Sequence, residues 1–393
     1  MMTDLFPPTL DEAYARIAAV RPDEYARTRN NIEGAVTRLS PYITHGFVSV
    51  REVLLRVAER HSLHVQHKFV AELGWREYFH HVWQHRGDGI LQSLHETVLP
   101  ESAYAAVMPD DIREARTGVP VIDQAVRTLY KTGYLHNHAR LWVASYTVHL
   151  RKVHWRAGAG WMLAHLLDGD LASNHLSWQW VAGTGSSKPY LFNAENVARF
   201  APSSWHSEGT VLDTSYEALD IMARREQSVP SGKLRNGSDE PELYTRLPQS
   251  DFGQNVDLRG RDVWLVHPWA LGDPPSDIAE DCLHIGWWPA EMHAVMPWSA
   301  ARWEFVSARL SALTSLQLYM SREQLQQVLS AARSVQTMRD LHVRAVMPTI
   351  VQQREPLKLF AEVQRPCESF SGWWKQSTRG VKELADLPGL AAG

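Results

Sequence analysis

Asp168-Gly169-Asp170-Leu171-Ala172-Ser173-Asn174-His175-Leu176-Ser177-Trp178-Gln179-Trp180 places two carboxylates, an amide and two indoles in one short stretch. Gly and Asp are poor helix residues, so Asp-Gly-Asp before an aromatic pair is not what a plain structural helix carries. The mix suits a buried, redox-active heterocycle. Carboxylates hold a cation or accept N–H bonds, an amide faces a ring nitrogen, and indoles pass an electron. If a helix begins near Asp170, then Asp170 and Asn174, four residues apart, face one side.

The 393 residues predict two or three domains. With 44% hydrophobic and 21% charged residues, the composition is that of a soluble protein with a sizeable core. The opening Met1-Met2-Thr3-Asp4-Leu5-Phe6-Pro7-Pro8 lacks the basic and apolar regions of a secretory leader. No apolar run is long enough to span a bilayer, so no membrane is expected. Two cysteines, Cys282 and Cys367, exclude a four-cysteine iron–sulfur cluster or a Cys-rich zinc site and fit a reducing, cytoplasmic setting. The net charge of −4 does not advertise a polyanion binder, so nucleic acid requires a local basic patch. Sixteen tryptophans either fill a large core or include some that carry electrons.

Apolar residues recur at three- and four-residue spacing over Asp11–Val20, Val48–Glu59, His67–His85, Pro120–Lys131 and Leu135–Val153. Thr44 or Ser49 can cap the second of these helices and Gly133 can end the fourth. This predicts an all-helical domain over residues 1–220. Residues 221–256 are polar and turn-rich and read as a linker. From 257 to 393 the pattern alternates. Asp262–His267, Leu283–Trp288, Leu316–Tyr319 and His342–Val346 read as strands, and Trp303–Leu318 and Arg322–Ala332 as helices. That alternation predicts a smaller Rossmann-like α/β domain with a parallel sheet. The fold class is therefore α plus α/β.

Five blocks recur in order: Thr37-Arg38-Leu39-Ser40-Pro41-Tyr42, Glu72-Leu73-Gly74-Trp75-Arg76-Glu77-Tyr78, Thr117-Gly118-Val119-Pro120-Val121-Ile122-Asp123, Gly133-Tyr134-Leu135-His136-Asn137-His138-Ala139-Arg140 and the opening Asp168–Trp180 stretch. Together, across residues 25 to 195, they resemble the flavin-binding domain of the photolyase–cryptochrome family. The resemblance implies FAD as cofactor. By it, Thr37, Arg38, Leu39 and Ser40 grip the dinucleotide phosphates, and Tyr25 also touches the cofactor. Hydroxyls near a helix start suit a pyrophosphate on their own chemistry, although a simple helix cap reads the same way. Glu72 and Arg76 share a helix face, as a surface ion pair also would. By the resemblance, Arg76 and Glu72 line the cofactor site, and Glu72 and Trp75 meet a flipped pyrimidine dimer, Trp75 by stacking.

The resemblance also pairs Arg140 with Asp168 beside the flavin and brings Asn137 to both flavin and substrate. It adds Asp170 to the cofactor contacts and sets Asn174 opposite the flavin's reactive ring nitrogen. An amide there donates or accepts and so tunes the cofactor. Trp178 and Trp155 match the inner two members of an electron-transfer chain, and Trp180 the second wall of the lesion pocket. There are departures. Ala35-Val36-Thr37 lacks one family hydroxyl. His138 stands where arginine is common. The third, surface tryptophan falls near Ser102, with Tyr104 as the nearest aromatic, and Trp142 reads as core. The loop after Trp180 is short.

The order of the two halves is the main departure. Family members begin with an α/β antenna domain, whereas here the flavin domain comes first. Val263–His267 and His293–Val306 resemble parts of that antenna domain, which implies a circularly permuted relative; an antenna chromophore is left unassigned. Gly183–Lys188 lacks the spacing of a phosphate loop, and His81 with His85 lacks a zinc signature, so no metal is expected. The implied function is a monomeric, blue-light-driven DNA photolyase acting on cyclobutane pyrimidine dimers in UV-damaged DNA. The alternative is a cryptochrome-like photoreceptor with FAD and no repair, or a helical binding module that lost its cofactor. Residues 1–220 hold 21 Lys and Arg against 24 Asp and Glu, so DNA docking would rest on Arg113, Arg116, Arg151, Lys152, Arg156 and Lys188.

Overall fold

A computed structural model describes residues 5–231, 236–247, 252–253 and 256–391. Residues 1–4, where the leader reading begins, and 232–235, 248–251 and 254–255 within the linker reading lie outside the described residues. Helices occupy the first half: Leu10–Ala18, Pro22–Thr28 and Val50–Ala58 precede α1 (Lys68–Arg86), α2 (Pro120–Thr132), α3 (Asn137–Ser145), α4 (Trp155–His165) and α5 (Leu171–Ala182). Their ends follow local chemistry. Ser49 caps Val50–Ala58 by accepting from Glu52 N–H. Gly133 closes α2 at φ 64°, a left-handed position that glycine takes without strain. Asp170 opens α5, its side chain accepting from Ser173 N–H.

The helix expected through Val153 stops earlier. α3 ends at Ser145 and passes into a π-helical turn over Tyr146–Leu150. Two buried cations follow and need partners there. Arg151 bonds both oxygens of Asp111 at 2.8 and 3.0 Å. Lys152, at φ 54°, donates to the carbonyls of His149, Met222 and Ala223.

The second half carries a five-stranded, wholly parallel sheet of β1 (Asp262–Val266), β2 (Leu283–Pro289), β3 (Leu316–Met320), β4 (Ser334–Met338) and β5 (Gln352–Arg354), in the order β3-β2-β1-β4-β5. Helices α6 (Ala300–Leu313) and α7 (Phe370–Ser377) accompany it. The strand expected at His342–Val346 is instead a turn segment. The fourth strand lies at Ser334–Met338, where Val335 and Thr337 alternate inward. Val343 is buried without pairing, and His342 is held by Asp340 at 2.7 Å, so apolar content alone misled. The stretch read as a linker is docked in its described parts. Leu243–Tyr244 pairs antiparallel with Trp298–Ser299. Glu240 accepts from Trp161 Nε1 and meets His165 Nε2, each at 3.0 Å, and pairs with Arg113.

Buried apolar side chains form two clusters. One joins the N-terminal helices and α1 to the sheet, for example through Phe47 and Phe305 at 5.3 Å; the other gathers side chains between Met108 and Leu219. α5 therefore packs on α1, α3 and α4, while α1 and the Leu167–Leu176 segment share the cluster of the sheet-bearing half.

Candidate functional site

The site is built around the turn into α5. Arg140, on α3, donates through Nη2 to both oxygens of Asp168 at 2.9 and 2.7 Å, which is the pairing the sequence implied. The Thr44 hydroxyl donates to the Asp168 carbonyl. Asp168 is nearly fully buried, so Arg140 supplies the compensation that a buried carboxylate needs. Arg140 also lies 5.6 Å over Tyr134.

Asp170 is more heavily engaged than the sequence indicated. One oxygen caps α5. The other meets His80 Nε2 at 2.7 Å, Arg76 at 3.3 Å and His342 Nε2 at 3.6 Å. Burial would raise its pKa, but the neighbouring Arg76 and then His80 hold the carboxyl well below the usual range. Arg76 also donates to Thr44. The Glu72–Arg76 ion pair considered from the sequence does not form. Glu72 pairs instead with Arg29 at 3.3 Å and Lys68 at 2.9 Å.

One turn along α5, Asn174 is buried and its Nδ2 donates to the Ala159 carbonyl at 2.8 Å. That leaves Oδ1 as the acceptor end for a ligand N–H. Trp178 is buried and its Nε1 has no hydrogen-bond partner among the described residues. Trp155 is buried with Nε1 on Ser93, and His154 stands 5.6 Å from it. Tyr104 is 6.3 Å beyond His154, so an aromatic path does lead from Trp155 to the residue that replaces the missing tryptophan. Trp142 is fully buried, bonded to Asn196.

The opposite rim is cationic and hydroxylic. Arg38 is exposed at φ 52°, Leu39 is buried beneath it, and the Thr37 hydroxyl accepts from Leu39 N–H, with Ser40 opening the next short helix. The Tyr25 hydroxyl is pushed up by burial and then by Glu72. His136 is buried, its Nε2 lacks a partner, and burial together with His138, Arg140 and Arg38 pushes it down to about 4. This rim of arginines and hydroxyls, with the Asp168 carboxylate and the Asn174 amide on the α5 side, fits a flavin dinucleotide. The positive rim suits its pyrophosphate and the Asn174 acceptor its ring. No group of three or more His, Cys, Asp or Glu among the described residues is placed to hold a metal.

The four residues read as lesion contacts divide. Asn137 and Trp180 are exposed, Trp180 at 40% and beside Tyr190. Glu72 is tied to cations, and Trp75 stacks on Phe370 of α7 at 4.1 Å and 9°. Nothing in the sequence reading pointed to Phe370. The basic patch does not assemble as read. Arg151 and Lys152 are buried, Arg113 pairs with Asp110 and Glu240, and Arg116 with Glu114. Arg156 and Lys188 remain exposed.

A cavity of about 920 Å³ lies elsewhere, between the strand ends at Trp269–Gly272 and Met338–Leu341 and the α1 residues Glu77 and His80. It sits where the strand order reverses between β1 and β4, the usual crevice of such sheets. Of the flavin-site residues only Arg76 lines it. The donors and acceptors that suit a flavin lie instead on the α3–α5 side.

The FAD binding domain of DNA photolyase matches residues 69–209. The deoxyribodipyrimidine photo-lyase of Streptomyces griseus is 36% identical over 167 residues, covering 42% of this chain and 36% of that protein. Cryptochrome-1 of Arabidopsis thaliana is 34% identical over 256 residues, covering 60% of this chain and 35% of that protein. A solved Synechocystis cryptochrome overlaps 49% of this chain and 43% of its own at a TM-score of 0.43 and 27% identity. The chain thus spans little more than a third of the length of the curated relatives it matches. Its helical half is thus similar to the FAD binding domain of DNA photolyase and to photolyase and cryptochrome sequences.

Proposed function

We propose that the chain is a blue-light-driven photolyase that splits cyclobutane pyrimidine dimers in UV-damaged DNA. The observation that carries this reading is Trp180. It is an exposed indole on the same helix as the buried Asn174 and Trp178, and so a stacking platform at the mouth of the flavin site. FAD, when bound, supplies light absorption and the transferred electron. The protein's part is positional. Arg38, Thr37, Ser40 and Tyr25 hold the dinucleotide, and Arg140 with Asp168 fixes one edge. Asn174 offers an acceptor held in place by Ala159, and Asn137 and Trp180 meet the extruded bases. Buried Trp178, with Trp155, His154 and Tyr104 outward of it, provides a route for refilling the site with electrons. The sheet-bearing half then corresponds to a permuted antenna domain, and the 920 Å³ cavity at the strand-order reversal is where an antenna pigment of such a half would sit.

A photoreceptor reading is favoured by two observations: Trp75 is covered by Phe370, and four of the six cations read as a DNA patch are paired or buried. An absorption spectrum of the purified chain, followed by illumination with dimer-containing DNA, tests both. Bound flavin with loss of dimers supports repair. Bound flavin that photoreduces but leaves dimers intact supports the receptor, and a colourless protein overturns both.

A further inference from the structure

We propose that Arg302 and His342, in the sheet-bearing half, are positioning residues for the flavin site; they fix the 167–171 turn from which α5 presents Asn174 and Trp178. The inference rests on the flavin reading above. Arg302, on α6, is 1% exposed, and among the described residues its bonded partners are backbone carbonyls. Its Nη2 donates to the Gly169 carbonyl at 2.7 Å and its Nη1 to the Leu163 carbonyl at 3.2 Å, with the guanidinium 4.0 Å over Trp298. A Cβ at Gly169 would stand 2.3 Å from Nη1, so the middle residue of Asp-Gly-Asp is glycine because this cation occupies the space. Burying a guanidinium against carbonyls alone is costly. A turn held merely by packing would need no such group.

His342 grips the other side of Asp170. Its Nδ1 faces Asp340 at 2.7 Å and so carries the proton. Its Nε2 then accepts from Leu171 N–H at 3.2 Å, one of the first donors of α5 that no helical carbonyl can reach. The ring is clamped flat against Trp269 at 4.7 Å and 8°, with Trp83 edge-on at 4.9 Å. His45 adds a third hold, lying between the Pro268 and Leu167 carbonyls at 2.6 and 2.9 Å. The carbonyl before Asp170 and the N–H after it are thus both held by the sheet-bearing half. Asn174 follows one helical turn later, so its placement depends on that half.

The test uses the full chain with FAD. His342→Leu and Arg302→Met are expected to weaken FAD binding about tenfold each, the scale of one lost hydrogen bond, and to alter the visible flavin band. His342→Gln, which keeps an acceptor for Leu171 N–H, is expected to restore both. A purely structural role would lower the melting midpoint and leave affinity and band as in wild type, and that result overturns the inference. If Arg302→Met does not fold, Arg302→Lys and the two His342 variants decide. A wild-type chain that binds no FAD overturns the flavin reading itself, and the inference with it.

Discussion

Gly158 lies against the indole of Trp178; a Cβ at Gly158 would stand 2.3 Å from Cζ3 and 2.4 Å from Cη2. The glycine is on α4 and the tryptophan on α5, and the absent side chain lets the two helices close with the indole between them. Gly158→Ala gains about 1 kcal/mol of helix propensity but overpacks by about 1–3 kcal/mol. The expected outcome is a lower urea midpoint and slower flavin photoreduction, read by denaturation and by absorbance under blue light.

Trp178→Phe separates the indole's electronic role from its packing. Nε1 has no hydrogen-bond partner among the described residues, so the change orphans no buried group there. FAD binding is expected to persist while photoreduction slows at least tenfold. Unchanged photoreduction would remove Trp178 from the electron route.

Arg140→Met leaves the buried Asp168 carboxylate without its cation. Loss of one partner of such a pair costs about 3 kcal/mol. Chemical denaturation is expected to show a loss of that size, with FAD release at lower denaturant than in wild type.

Glu77 is pushed up to about 6 by burial, against the opposing N–H bonds of Leu359 and Phe360. Its ordinary value is 4.5, so between pH 4.5 and about 6 the native state holds more protons than the unfolded chain. Its contribution is complete below pH 4.5 and is lost as pH rises through 6. Glu77→Gln keeps an acceptor for Leu359 N–H and is expected to stabilise the protein at pH 7 by about 1–2 kcal/mol, with no gain at pH 4. Thermal melts across this range check it.

Arg113 and Arg116 are neutralised by Asp110, Glu240 and Glu114, whereas Arg156 and Lys188 are exposed. If the chain repairs DNA, Arg113→Ala and Arg116→Ala are expected to leave the salt dependence of DNA affinity unchanged. Arg156→Ala and Lys188→Ala should each reduce the slope by about 1. Equal slopes in all four variants would move the docking face elsewhere.

The sequence reading of α5 held for its cap, its ion pair and its burial. Asp170 caps the helix, Asp168 meets Arg140, and Asn174 and Trp178 turn inward. The Arg140 pairing was implied by the family resemblance, whereas the cap follows from local hydrogen bonding, which neighbouring residues settle among themselves. The strands Asp262–Val266 and Leu283–Pro289 were legible for the same reason, their apolar runs being continuous. The end of α3 and the fourth strand were not, because buried partners set them. Asp111 and three carbonyls hold Arg151 and Lys152, and the Asp340 contact bends His342 out of any strand.

By itself, then, the sequence determined the helices of the first half, the Asp170 cap of α5 and the apolar strands of the second half. Only the tertiary structure decided that Asp170 is held by Arg76 and His80, that Phe370 covers Trp75, and that Arg302 holds Gly169. Each of these joins residues more than 85 positions apart, or elements from opposite halves, and a buried charge or ring takes its partner from whatever packing brings within a few ångströms.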